Sequence, residues 1–280
     1  MVVVVTGANG QVGKAIQKAA ETISGITFVF ADAARLDITQ AENCLDFFDK
    51  HKPNFCINTA AYTAVDAAEA NADSAFAVNV IGVKNLVQAC SKHQTTLIQL
   101  STDFVFDGQK TVPYLEDDIP NPQSVYGKTK LEGEAEAKKW EKHFIIRTSW
   151  VYSEFGKNFM KTMLSLAAIH KNIRVVNDQI GSPTHANCLA QALLHIIQNE
   201  AAATQFGTYH FSNQGSCSWY TFAKEIFQHN HTQIELIPIP TSDYPTPAKR
   251  PHYSVLDTTK FSTTFGLPIK SWQQALLQSE

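Results

Sequence analysis

Charge is scarce in this 280-residue chain: 18% of its residues are charged, and 23 basic side chains stand against 26 acidic ones, a net charge of −3. Such a balance supplies no polycationic surface for a nucleic-acid backbone, so a nucleic-acid partner is not expected. Long hydrophobic runs are also missing. The opening MVVVVTGANG holds four consecutive valines before polar residues and glycines intervene, and no apolar stretch approaches the roughly 18 residues of a membrane span. The start predicts no signal peptide, and a soluble protein without a membrane partner. Cysteine is sparse and unpatterned: Cys44, Cys56, Cys90, Cys188 and Cys217 are odd in number and include no CxxC. That argues against a disulfide framework and a zinc site, and fits a reducing cytoplasm. No internal repeat or low-complexity segment is present. With 44% hydrophobic residues, disorder is excluded, and the length suffices for one large α/β domain or a domain with a smaller companion.

Short β-branched runs alternate with helical periodicity. Val2 to Val5, Ile26 to Phe30, Phe55 to Asn58, Thr96 to Leu100 and Phe144 to Arg147 read as strands. Between them, helices are expected in the segment from Val12 to Ile23, over Thr39 to His51 and Ala72 to His93, and near Val125 to Trp140. Alternation of this kind implies right-handed crossovers and an α/β, Rossmann-type doubly wound parallel sheet. After about residue 150 the pattern loosens into prolines and three helices, Asn158 to His170, Ala186 to Asn199 and Trp219 to His229. The expected organisation is a dinucleotide-binding domain over 1–150 and a smaller, mainly substrate-binding region over 151–280, with part of 174–211 open to a return to the sheet.

Gly7, Gly10 and Gly13 follow the first strand at once and open the first helix. Gly7 permits a tight turn, Gly10 lets the backbone approach a pyrophosphate, and Gly13 allows close helix-to-strand packing, with the helix N-terminus facing negative charge. The spacing G-x-x-G-x-x-G resembles that of the short-chain dehydrogenase/reductase group. Asp32 follows the second strand, where a carboxylate accepts ribose hydroxyls and repels a 2′-phosphate. This favours NADH, while Arg35 nearby keeps NADPH open. Asp37 and Ile38 are placed to flank the adenine, although a solvated loop acid explains Asp37 equally well.

Tyr126 and Lys130 stand four apart, on one face of the helix expected there. An ammonium beside a phenol lowers the phenol's pKa and fits it for proton transfer. Tyr220 and Lys224 repeat the spacing, so context decides. The first copy follows the strand ending at Leu100 and the segment Ser101-Thr102-Asp103, at the edge where ligands bind in such sheets. The second lies among Trp219, Phe222, Ala223, Ile226 and Phe227, a core helix. The catalytic role is assigned to the first.

Several segments carry a closer resemblance: TGANGQVG (6–13), NTAAYTAVDAAE (58–69), STDFVFDG (101–108), YGKTKLEGE (126–134), RTSWVY (147–152), DQIGSPT (178–184), SWYTFAKEI (218–226) and KRPHYSVLDTTK (249–260). Across most of its length the chain resembles the dTDP-4-dehydrorhamnose reductases, of the extended short-chain dehydrogenase/reductase type. It departs at Phe104, where tyrosine is frequent, and at Thr59, where alanine is. The resemblance implies reduction of a dTDP-linked 4-keto-6-deoxysugar with Tyr126 as proton donor, Lys130 as its electrostatic partner and nicotinamide-ribose ligand, and Thr102 as donor to the reacting carbonyl. It implies that Asp103 and Trp150 contact the sugar nucleotide, that Gly10, Gln11 and Val12 lie on the cofactor phosphates, and that Ala60, Ala61 and Tyr62 line the cofactor. For Trp150, a half-buried core aromatic is the alternative. Some members carry an acidic metal site at a dimer contact. Lys14, Ala15 and the stretch around Asn187 offer no matching carboxylates, so no metal is expected, and a monomer or a weak homodimer without a bridging metal is. Another nucleotide-sugar 4-ketoreductase, a sugar-nucleotide 4-epimerase and a non-catalytic regulatory subunit on the same scaffold are the rival functions. Arg250, flanked by prolines and the sole arginine after Arg174, is the candidate partner of a substrate diphosphate, because a guanidinium offers two parallel donors. A solvated loop arginine is the alternative there.

Overall fold

The computed structural model describes residues 1–199 and 204–277. In the first half, strands Val2–Thr6 (β1), Thr27–Ala31 (β2), Phe55–Asn58 (β3), Thr96–Thr102 (β4) and His143–Thr148 (β5) alternate with helices. The helices are Gln11–Ala20 (α1), Ala41–His51 (α2), Val65–Ala70 (α3), Ala72–Phe76 (α4), Gly82–His93 (α5) and Val125–Ala137 (α6). The second half carries short strands Val151–Tyr152 (β6), Asn172–Val176 (β7), Ile180–Gly181 (β8), Thr184–His185 (β9), Gly207–His210 (β10), Cys217–Ser218 (β11) and Glu235–Ile239 (β12). Its helices are Phe159–Ala167 (α7), Ala186–Gln198 (α8), Trp219–His229 (α9), Thr259–Phe265 (α10) and Trp272–Leu276 (α11).

Six strands form one sheet in the order β10-β5-β4-β3-β1-β2, parallel throughout. Such strands are covered on both sides, which is why they read as continuous apolar runs. Successive residues face opposite layers. Val3, Val5, Ile57, Ile98, Leu100, Phe144 and Ile146 pack against α1 and α8, while Val4, Cys56, Leu97 and Ile145 pack against residues of α2 and α5. Within the stretch 174–211, β10 joins the edge of β5 and α8 covers one face; residues 200–203 lie outside the described ones. The chain turns back at β1, leaving β2 on one side and β3 on the other, and this reversal opens a crevice at the carboxyl ends of β1 and β3. The smaller region packs α7, α9 and α11 around the pairs β7–β12, β8–β11 and β6–β9.

The helix expected over 72–93 is interrupted. Ala77–Ile81 form a π turn between α4 and α5, at a point where α6 presses closely: a Cβ on Gly133 would lie 2.2 Å from the Asn79 carbonyl oxygen. The short α3, α10 and α11 have no counterpart in the expected elements. Among the described residues, no helix is long and apolar enough to cross a membrane, and no group of three or more His, Cys, Asp or Glu side chains is arranged to hold a metal.

Candidate active site

The glycine turn is built for a close approach of backbones. Gly7 has φ +62°, and a Cβ there would fall 2.6 Å from the Ala60 nitrogen, so the first turn and the end of β3 touch. A Cβ on Gly13 would strike Gly7 and Ala8. Gly10 differs, since its Cβ position meets only the Gly7 carbonyl, at 3.2 Å. It is the N-cap residue of α1 with no side chain closing the helix end, so the first-turn N–H groups of Gln11, Val12 and Gly13 face the crevice with no side-chain cap. These residues fit a dinucleotide pyrophosphate.

Asp32 stands just beyond β2, facing the same turn: Asn9 Nδ2 donates to its Oδ2 (2.9 Å) and the Arg35 amide to its Oδ1 (3.1 Å). The Arg35 guanidinium instead donates to the Phe30 carbonyl (2.7 Å). Asp37 spends its Oδ1 on the Thr39 amide and hydroxyl, and Ile38 is buried against α5 beneath Gly82. Both therefore rigidify the loop that follows β2. At the end of β3, the small half-buried Ala60 and Ala61 leave the backbone approachable. Tyr62 is fixed by Asn79, whose side chain accepts from the Tyr62 amide (2.8 Å) and donates to its carbonyl (3.2 Å) and to Thr129 Oγ1 (3.1 Å). Asn79, on the π turn, thus ties the loop after β3 to α6.

The candidates Thr102, Tyr126 and Lys130 converge where β4 ends. Ser124 caps α6 by accepting from the Gly127 amide (3.1 Å), which sets Tyr126 and Lys130 on the helix face toward β4. Gly127 lets that face come close, since a Cβ there would lie 2.2 Å from the Phe104 carbonyl oxygen. Thr102 lies beside the Tyr126 phenol and works against the rise of its pKa, and Lys130 Nζ donates to the Leu100 carbonyl (2.6 Å). Burial dominates the electrostatics. It pushes the Tyr126 phenol up to about 12 and the Lys130 ammonium down to about 8. The phenol therefore lies above its ordinary value and not below it as the Tyr–Lys spacing predicts: burial outweighs the lowering by Thr102, and the nearby Asp103 charge adds to the rise. Asp103 is almost fully buried, with Oδ1 accepting from Thr102 (3.1 Å) and Oδ2 without a partner. Burial raises its carboxyl to about 6 against hydrogen bonds from Ser254 and Thr102.

The other candidates are placed less openly than the sequence suggests. Trp150, at φ +47°, stacks on Trp219 at 3.5 Å and 8°, with the Gly181 backbone against the indole. Arg250 is not free: Nη1 and Nη2 donate to the two oxygens of Asp66 (2.9 and 2.6 Å), and the guanidinium holds the Asp66 carboxyl below its usual range. This pair joins α3, just after the loop that follows β3, to the late proline-flanked segment. Tyr220 packs beside β7 and α7 in the smaller region, away from β4. Sequence reasoning missed Asp66, Asn79, Ser254 and Trp219, whose roles depend on partners distant in the chain.

A parallel sheet with an open glycine turn, an acid after β2, and a Thr/Tyr/Lys cluster at the end of β4 defines a nicotinamide-dependent oxidoreductase of the short-chain dehydrogenase/reductase type. The family model described as the RmlD substrate binding domain matches residues 1–279. The chain is 42% identical over 281 residues to the dTDP-4-dehydrorhamnose reductase of Aggregatibacter actinomycetemcomitans, covering 97% of this chain and 96% of the relative. It superposes on the crystal structure of a dTDP-4-dehydrorhamnose reductase from Clostridium acetobutylicum with a TM-score of 0.95 and 42% identity, covering 100% of this chain and 98% of that one. A Bacillus anthracis dTDP-4-dehydrorhamnose reductase, solved in complex with NADP, gives a TM-score of 0.94 at 37% identity, covering 99% and 98%. The chain belongs to the dTDP-4-dehydrorhamnose reductase family.

Proposed function

We propose that this chain reduces the 4-keto group of dTDP-4-dehydro-6-deoxy-L-mannose to give dTDP-L-rhamnose with NAD(P)H. The observation that carries this reading is the convergence of Thr102, Tyr126 and Lys130 at the end of β4 in a chain of this family. The bound nicotinamide supplies the hydride that reaches C4 of the sugar. Tyr126, kept protonated by burial, gives its proton to the carbonyl oxygen as negative charge develops there. Thr102 turns its hydroxyl from Asp103 to the same oxygen, and Lys130 places a positive charge beside the phenol as the proton leaves. Asp103 offers its unpartnered Oδ2 to a sugar hydroxyl, and Trp150 walls the sugar. Arg250 exchanges Asp66 for the diphosphate.

Gly7, Gly10, Gln11, Val12 and Gly13 take the cofactor phosphates, and Ala60, Ala61 and Tyr62 the nicotinamide side. Asp37 and Ile38 stiffen the adenine end. Asp32 favours NADH over NADPH. The chain works in the cytoplasm as a monomer or weak homodimer without a bridging metal. Nicotinamide absorbance measured with dTDP- and UDP-linked 4-ketosugars tests the reading, with the product identified chromatographically. NADH consumption matched to dTDP-L-rhamnose is expected, and Tyr126→Phe should lower turnover at least roughly a hundredfold. Epimerised sugar without net NADH consumption, or no turnover at all, would overturn it.

A further inference from the structure

Arg147 is one of the largest side chains the molecule buries completely, with 1% of its surface exposed. A guanidinium is costly in such a place unless every donor finds a partner. Its Nε and Nη2 form a fork on Glu134, to Oε1 (2.9 Å) and Oε2 (2.8 Å), and its Nη1 reaches the Glu116 carbonyl (3.3 Å). Glu134, itself 1% exposed, also accepts from Ser101 Oγ at 2.6 Å. Ser101 and Arg147 are register partners across β4 and β5. One carboxylate therefore pins α6 to two strands at a single point.

What is pinned there is the chemistry. Tyr126, Lys130 and Glu134 follow one another at one-turn intervals along one face of α6. Ser101 lies between Leu100, whose carbonyl holds Lys130, and Thr102, which neighbours the Tyr126 phenol. We propose that the buried Glu134–Arg147 pair, joined to β4 through Ser101, is the positioning element of the proton-transfer residues, setting α6 against β4 and giving Lys130 its acidic neighbour. The proposal rests on the reading of Tyr126 and Lys130 given above.

The charges around Lys130 can be enumerated. Glu134 and Tyr126 share its helix, Asp103 follows β4, and Arg147 on β5 lies behind Glu134. The π turn contributes the neutral Asn79. His210, on β10 beside Arg147, is held neutral because burial and Arg147 push its pKa down to about 3; Glu116 accepts from the His210 amide (3.0 Å), and its carboxyl is raised by burial. Glu134 is thus the carboxylate that supports the Lys130 charge against burial.

Glu134→Gln keeps the shape of the side chain, removes its charge and leaves Arg147 uncompensated. Relative to wild type, the expected kcat loss is about tenfold or more, with KM for the sugar nucleotide and NADH changed less than about twofold, and the alkaline limb of the kcat profile moved about one pH unit lower. Glu134→Gln combined with Arg147→Met removes both charges and should bring the limb back toward its wild-type position. A Glu134→Gln protein with wild-type kcat and an unmoved limb, whatever its melting temperature, overturns the proposal. Should that variant not fold, Ser101→Ala deletes one hydroxyl from the same link. Lower kcat at unchanged KM supports the proposal, and unchanged kcat overturns it. Tyr126→Phe keeps the two readings apart: if it retains turnover, the catalytic assignment fails, whereas if it alone loses turnover, only the positioning role fails.

Discussion

Asp32 and Arg35 share the corner just beyond β2. The Asp32 carboxylate is oriented from both sides, by Asn9 and by the Arg35 amide, whereas the Arg35 guanidinium is drawn back onto the Phe30 carbonyl. A 2′-phosphate brought to this corner meets a fixed negative charge before it meets a free positive one. NADH should therefore give the higher kcat/KM, and Asp32→Ala should narrow its advantage over NADPH roughly tenfold, a change of about 1.4 kcal/mol. Steady-state kinetics with both cofactors decide it, and a wild-type protein preferring NADPH tenfold or more would reverse the roles of Asp32 and Arg35. The places of the glycine turn and of Asp32 were legible in the sequence because each directly follows a strand with a clear apolar run. Arg250 was visible as the sole arginine after Arg174, but its counter-ion, Asp66, lies 184 positions away and no local pattern announces it. The same is true of Glu134 and Arg147, which read as ordinary polar residues until α6 meets β5.

At the level of elements, the strands and helices with strong local periodicity emerged as expected. Phe55–Asn58 and Trp219–His229 match residue for residue. The π turn at Ala77–Ile81 was hidden because it depends on Gly133 of α6 admitting the Asn79 carbonyl, a contact that periodicity does not encode. Small residues mark several such approaches, and β8 offers a test. A Cβ on Gly181 would lie 2.4 Å from the Trp150 indole, and that ring cannot retreat, since Trp219 stacks on its face at 3.5 Å. Gly181→Ala should therefore force β8 and the two indoles apart, destabilising the fold by about 1–3 kcal/mol. Calorimetry and tryptophan fluorescence should register the change, with a raised KM for the sugar nucleotide and little change in KM for NADH. An unaltered melting temperature would show that β8 moves aside freely.

Viewed as a whole, the molecule closes its sheet late in the sequence. β10 brings His210 against Arg147, and burial together with that guanidinium holds the imidazole neutral, with its pKa lowered to about 3. Because the folded pKa lies below the ordinary value of 6.5, the unfolded chain binds more protons between pH 3 and 6.5. The contribution of His210 to stability is complete above pH 6.5 and is lost as the pH falls toward 3. Chemical denaturation across that range should show a shallower decline for His210→Gln than for wild type, and parallel curves would remove His210 from the acid response. The late arrival of β10 also has a consequence for synthesis. When the ribosome has made β5, the sheet still lacks its last strand, and one face of its core awaits α8. At a typical ~5–20 residues per second, that open edge persists for roughly 3 to 12 s. During this interval the nascent chain presents unpaired strand backbone to every neighbour in the polysome, so the yield of native protein should depend on how well chaperones shield that edge until residue 210 emerges.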